Sequence, residues 1–191
     1  MQNDMVEQKA GQPNDQIEPS DKVTVPPKDE ASSEGLGLDS RGKSLLGLLR
    51  NREPGLPGEL SSMLDEVVCT VSPAELLELA RLLRDDPTFE FDFLRCLSVV
   101  DYEDFLQVVY HLWSMKHRFK LVLKTNTNEE DARVPSVTDI WPSADWFERE
   151  GHDLFGVVFD GHPDLKPLLL WEGFPGFPGR RSYKLPEYKE Y

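Results

Sequence analysis

Residues 163–179, PDLKPLLLWEGFPGFPG, restrict the fold more than any other stretch. Pro163, Pro167, Pro175 and Pro178 exclude both a regular helix and a central strand, because proline removes a backbone donor and fixes φ. Yet Leu168, Leu169, Leu170, Trp171, Phe174 and Phe177 are costly to leave in water, at roughly 1.5–3 kcal/mol each on burial. An extended apolar strap must lie against something. If the core upstream is already full, that something is another protein. Residues 161–191 are therefore read as an extended Pro/Gly-rich interface segment.

The body upstream, 60–160, supplies the alternation and caps of a small α+β domain. MLDEVVCTV (63–71) reads as a strand. Ser72, Pro73 and Glu75 make a capping box for a helix through AELLELARLLRDD, which Asp86-Pro87 ends. FEFDFL alternates, and Leu97, Val99 and Val100 follow as a short buried strand. Residues 104–115 and 116–127 alternate on two arms of a hairpin. NEEDARVP reads as a charged loop. A helix starts near Ser143, and VVFDGH gives a last short strand. The order β-α-β-β-β-α-β predicts an antiparallel or mixed sheet with helices packed on one face, followed by the strap.

The first 40 residues hold nine acids against three lysines and no aromatic ring. Such a segment cannot bury enough apolar surface to offset its ordering entropy, so a disordered acidic tail is expected. Residues 41–59 read as a linker. Leu45, Leu46, Leu48 and Leu49 allow a short helix there, which Gly47 and the later prolines and glycines would stop.

The net charge of −14 argues against nucleic acid and anionic lipid as partners. No apolar run reaches 18 residues, so nothing spans a bilayer. The N-terminus lacks a basic start followed by an apolar block, and a chain kept in a reducing cytoplasm is expected. Cys69 and Cys96, both in apolar strand-like surroundings, fit buried thiols better than a disulfide or metal pair.

The chemistry-bearing patterns are sparse. Gly35-Leu36-Gly37 has neither a third glycine nor a preceding strand. There is no Cys-x-x-Cys for a cluster and no His-Glu-x-x-His. Glu148 and His152 lie four apart on a helix, but two ligands do not make a metal site. His152, Asp153 and His162 are the acid/base candidates; His111 and His117 lie elsewhere. Phe147, Leu154, Phe155 and Phe159 are assigned to the core. Glu148-Arg149-Glu150 falls between Trp146-Phe147 and Leu154-Phe155, so at least one of its charges is expected to be partly buried. A buried Arg149 would need carboxylates, which adjacent helical residues cannot supply and an interface could.

Together, EREGHDLFGVVFDGHPDLKPLL resembles the signature of the C-type, or 30 kDa-type, subunit of the proton-translocating NADH:quinone oxidoreductase, respiratory complex I. The pattern is met by Glu148, Arg149, Glu150, Asp153, Leu154, Phe155, His162, Lys166, Leu168 and Leu169. VVYHLWSM, VPSVTDIWPSADWFERE and FDFL…VVDY add to it, so the resemblance covers about 89–186. Near the end, Arg180, Arg181 and Tyr183 stand for the family's basic pair and tyrosine, while Ser182 replaces its acid and the acidic tail has no counterpart.

The resemblance implies a non-catalytic subunit of the peripheral arm, holding no cofactor itself. FMN, iron–sulfur clusters and quinone would sit in other subunits of an enzyme that passes electrons from NADH to quinone and translocates protons. It implies packing against the large quinone-site (D-type) subunit, near the cluster-bearing B-type and I-type subunits. The place would be the cytoplasmic face of a bacterial inner membrane, as a peripheral member of a hetero-oligomer. The site residues would form the subunit interface. The equivalent subunit of a membrane-bound hydrogenase or formate-hydrogen lyase is the alternative, and a free-standing enzyme using His152, Asp153 and His162 the third reading.

Overall fold

The computed structural model describes residues 37–52, 55–102 and 104–185. Helix α1 (Ser40–Arg50) is followed by strands β1 (Glu59–Met63) and β2 (Glu66–Val71), helix α2 (Leu76–Asp85), and strands β3 (Phe93–Asp101), β4 (Phe105–Trp113), β5 (Lys120–Asn128) and β6 (Arg133–Pro135). Helix α3 (Ala144–Phe155) and strand β7 (Val158–Asp160) complete the body. Five strands form one sheet in the order β1-β2-β5-β4-β3, and β6 pairs with β7 in a second, two-stranded sheet.

The main sheet is mixed. β1–β2, β4–β5 and β3–β4 are antiparallel, while β2 runs parallel to β5 and pairs Val68 with Val122 and Cys69 with Leu123. That parallel pairing follows from α2 and the antiparallel β3–β4–β5 run, which bring the chain back beside β2. Alternation sends Val67, Cys69 and Val71 to one face with Leu97, Val99, Val108, Tyr110, Leu112, Leu121 and Leu123. On that face they meet Leu45 and Leu49 of α1, Leu76, Leu79 and Leu83 of α2, and Ala144 of α3. The α+β class and the single helix-bearing face thus match the sequence expectation. On the other face only Val68, Val109 and Val122 form a small buried cluster among the described residues.

Several local expectations are corrected. The acidic tail lies outside the described residues up to residue 36. Its last residues are ordered, with Leu38 only 5% exposed and the Asp39 carboxylate accepting from the Gly42 N–H at 2.7 Å as the N-cap of α1. The stretch 41–59, read as a linker with a possible short helix, contains most of that eleven-residue helix, which is longer than expected. Gly47 does not stop it. A Cβ there would meet nothing within 4 Å, so the glycine sits on the open side, and its cost of about 1 kcal/mol is outweighed by burial of Leu45, Leu46 and Leu49.

The stretch 63–71 is the second half of a hairpin whose turn is Leu64-Asp65, with Leu64 at φ 53. The capping box does not form: Ser72 Oγ donates to the Glu75 side chain at 2.6 Å, and Glu75 takes the N-cap position without a side-chain cap. β3 is one nine-residue strand, with a register shift between Leu94 and Cys96. NEEDARVP is not all loop, because Arg133–Pro135 pairs in parallel with β7 and Arg133 makes an ion pair with Asp160. Both cysteines are free; Cys69 is buried, and Cys96 is only half-buried.

Candidate functional site: a strap fastened to helix α3

Helix α3 positions most of the signature. Ser143 sits at its N-cap without a side-chain cap bond, and Gly156 ends it in the left-handed region at φ 74. The buried charge expected in Glu148-Arg149-Glu150 is Glu148, which is fully enclosed. Its carboxylate accepts from Ser136 Oγ at 2.6 Å and from the Val137 N–H at 2.8 Å. Burial pushes its pKa up to about 7. The two hydrogen bonds oppose that rise, and the nearby Asp145 carboxylate adds to it. Glu148 therefore fixes the 136–138 loop that leads from β6 into α3.

Arg149 is half-buried, and the partners it finds within the chain are backbone carbonyls rather than carboxylates. Its guanidinium donates to the backbone oxygens of Lys166 and Pro167 at 3.1 and 3.2 Å and lies 5.8 Å over the Trp146 ring. One turn on, Asp153 Oδ2 accepts from the backbone N–H groups of Leu168, Leu169 and Leu170 at 3.1, 2.7 and 2.8 Å. Burial alone would raise the Asp153 pKa. The three N–H donors outweigh it and hold the carboxyl below its ordinary value. Glu150, by contrast, is exposed.

The strap is also tied at its far end. Leu154 and Phe155 belong to the last turn of α3, whose carbonyls have no helical partner. Gly179 N–H donates to Leu154 O at 2.9 Å and Arg180 Nε to Phe155 O at 2.7 Å. Arg180 further lies 5.0 Å over the Phe177 ring and 3.6 Å from Glu129. The Arg181 N–H reaches the Asp101 carboxylate at 2.8 Å. Phe159 is buried; Phe147 and Phe155 are partly buried against the core, and Leu154 is half-buried.

The strap's apolar side chains divide between the body and the outside. Leu168, Leu170 and Phe174 are half-buried. Leu169 and Trp171 remain 62% and 68% exposed, as does Trp146 on α3 at 65%. Trp171 packs edge-on to Phe174 at 4.6 Å, and Phe174 stacks near Tyr183. Lys166 is exposed and pairs with Asp164. The backbone is thus anchored while a row of rings and aliphatics faces outward.

The acid/base candidates do not converge. His152 Nδ1 bonds to Val157 O at 2.9 Å, Asp153 holds the strap, and His162 joins the strap's start to α3. Its Nδ1 accepts from the Asp164 N–H at 3.0 Å, which leaves Nε2 to donate toward Asp145, 3.3 Å away. Glu148 and His152 turn to different partners, and among the described residues no cluster of three His, Cys, Asp or Glu could hold a metal. Sequence reasoning missed Asp101 and Glu129, which tie the strap from sites 80 and about 50 residues away; no local pattern marks them.

Comparison with known proteins gives this arrangement a family. The model for the respiratory-chain NADH dehydrogenase, 30 kDa subunit, matches residues 69–189. The C 2 subunit of the NADH-quinone oxidoreductase of Rhizobium meliloti (strain 1021) is 41% identical over 123 residues, covering 63% of this chain and 67% of that protein. The C-type subunit of Rhodopseudomonas palustris (strain TIE-1) is 38% identical over 157 residues, 81% of this chain and 74% of that one. Among solved structures, the trypsin-resistant fragment (1–134) of Nqo5 matches with TM-score 0.52 and 32% identity, over 65% of this chain and 99% of the fragment. A chain of an archaeal membrane-bound sulfane sulfur reductase shares the fold, with TM-score 0.64 and 23% identity over 76% of this chain and 86% of that one. The chain that carries this fastened strap belongs to the 30 kDa subunit family of the respiratory-chain NADH dehydrogenase.

Proposed function

We propose that the chain works as the C-type subunit of an NADH-quinone oxidoreductase and contributes scaffold rather than chemistry. The observation that carries this reading is the strap. Its backbone is held to α3 by Arg149, Asp153, Gly179 and Arg180, and the side chains of Leu169 and Trp171 are left exposed. Side chains held in place and exposed in this way lose little further entropy on association, so their burial goes largely into affinity. In this reading the chain binds no cofactor, and FMN, iron–sulfur clusters and quinone belong to its partners. The large D-type subunit covers the strap, and the B-type and I-type subunits lie near. No described helix is long and apolar enough to cross a membrane. The chain would reach the membrane through those partners, on the cytoplasmic side of a bacterial inner membrane.

The equivalent subunit of a membrane-bound hydrogenase or formate-hydrogen lyase is not favoured, because the Rhizobium and Rhodopseudomonas relatives are NADH-quinone oxidoreductase subunits. Affinity purification of the tagged chain from solubilised membranes is the test. Recovery with NADH- and quinone-binding subunits supports the reading. Recovery with a nickel hydrogenase, or as a monomeric catalyst with the strap's side chains enclosed, overturns it.

A further inference from the structure

Strand β3 is an edge of the main sheet, so one side of its backbone carries donors and acceptors with no strand to meet them. Its two ends are covered. Near the start, Ser143 Oγ reaches Leu94 O at 3.5 Å, and the register shift between Leu94 and Cys96 breaks the regular edge. At the end, Asp101 receives the Arg181 N–H of the strap. Between these points Cys96, Leu97, Ser98 and Val99 open onto a groove of about 190 Å³ whose other wall is Phe147, Glu150, Gly151 and Phe155 of α3.

The usual protections of an edge strand are missing from this stretch. Residues 96–100, CLSVV, contain no proline and no charge, while β1 at the opposite edge is only five residues long. The groove itself is apolar at Phe147 and Phe155, and it carries one exposed carboxylate, Glu150, that among the described residues makes no ion pair. It runs into the strap through Phe155, whose carbonyl Arg180 holds, and through Asp101.

We propose that this open stretch of β3 receives an extended segment of the partner that covers the strap, added as a sixth strand of the sheet. Backbone groups with no strand beside them, engaged among the described residues by nothing stronger than the Cys96 thiol 3.6 Å from the Leu97 carbonyl, select a peptide backbone over any other ligand. The groove selects an apolar side chain for the space between Phe147 and Phe155 and a basic one opposite Glu150. The inference rests on the reading of the strap as an interface and extends that interface onto the sheet edge.

Amide hydrogen exchange of the full chain, alone and within the purified complex, tests it. Outward amides of residues 96–100 are expected to exchange at least tenfold more slowly in the complex. N-ethylmaleimide should label Cys96 in the lone chain and not in the complex, with buried Cys69 unlabelled in both as the reference. Glu150→Lys should lower the yield of complex several-fold and leave the thermal midpoint of the lone chain unchanged.

If residues 168–177 become protected and 96–100 do not, the strand-addition proposal falls while the strap interface stands. If neither becomes protected, the interface reading falls with it. Protection in the lone chain also overturns the proposal. When it rises with concentration, the occupant is a second copy; when it is lost on removing residues 186–191, the occupant is the chain's own end.

Discussion

Arg149 and Asp153, four residues apart on one face of α3, hold the same five-residue piece of the strap by opposite polarities. Arg149 takes the carbonyls of Lys166 and Pro167, and Asp153 takes the N–H groups of Leu168, Leu169 and Leu170. The i,i+4 spacing places both groups on adjacent turns, where they follow a strap that runs alongside. Proline at 167 has no N–H to offer, and it falls where the bond needed is to a carbonyl. Bonds to an ionised carboxylate are worth about 1.5–3 kcal/mol each. Asp153→Ala is expected to destabilise the chain by about 2–4 kcal/mol, less than the full sum because water replaces part of the loss. Amide exchange at 168–170 should rise by more than tenfold. Unchanged exchange there would show that the strap is held by its side chains alone.

Arg149→Ala should act differently. The guanidinium is half-exposed and its two acceptors are backbone oxygens that water can reach, so the cost to folding is expected to stay near about 1 kcal/mol. What the arginine fixes is the strap's backbone at Lys166 and Pro167 against α3. The lone variant should remain folded while the amount of assembled complex in membranes falls several-fold. Full assembly with the variant would remove Arg149 from the interface.

Glu148 predicts an unusual pH dependence. Its folded pKa of about 7 lies above the ordinary value of 4.5, so the folded chain holds a proton that the unfolded chain releases. The sign is the reverse of a salt-bridged carboxylate. Stability is unaffected below about pH 4, where both states are protonated, and falls as pH rises toward about 7. The full effect is on the order of 3 kcal/mol. Glu148→Gln keeps an acceptor for the Val137 N–H and cannot ionise. Its stability curve should lack that decline and lie above the wild type at about pH 8. Parallel curves for the two proteins across this range would show that Glu148 does not titrate in it. Asp153 contributes the opposite sign: its lowered pKa adds stability above the ordinary carboxylate range that is lost as pH falls through the folded value.

Gly156 answers two demands at once. Its φ of 74 ends α3 in the left-handed region, and a Cβ there would lie 2.5 Å from the Phe177 ring. An alanine would carry the conformational cost of about 1–2 kcal/mol and would also displace the ring that Arg180 covers. Gly156→Ala should therefore destabilise by about 2–4 kcal/mol. Gly161→Ala, also left-handed at φ 87 but with nothing within 4 Å of its Cβ position, should lose only the conformational part. Equal losses at the two glycines would mean that Phe177 gives way freely.

What was legible in the sequence follows the range of the interactions that decide each element. The β4–β5 hairpin follows from alternation and α3 from the start signal near Ser143, both local. The strap was legible because proline denies it any regular structure. Helix α1 was legible only as a short helix allowed by its leucines, because Gly47 and the nearby prolines speak against its length locally, and only packing of Leu45 and Leu49 on the sheet outweighs them. β6 was not, because a three-residue strand is defined by its partner β7. Within the signature, a buried charge was legible, but its identity as Glu148 was not. Spacing shows that the trio lies among apolar residues, but the loop at 136–138 and the carbonyls at 166–167 decide which member is enclosed.

The exposed row makes the last prediction. Trp171 and Leu169 keep more than three-fifths of their surface in the lone chain, so truncating them removes little that folding has buried. Trp171→Ala with Leu169→Ala is expected to shift the thermal midpoint of the lone chain by no more than scatter, since each loses only partial contacts such as the edge-on packing of Trp171 on Phe174. In an interface the same side chains are of the kind that dominate binding, where a buried tryptophan is worth about 2–4 kcal/mol. The double variant should therefore weaken recovery of the complex by more than tenfold at equal expression. A large loss of stability with unchanged recovery would mean that the row is folded against its own chain in solution, and the strap would then be a piece of the core rather than a surface for a partner.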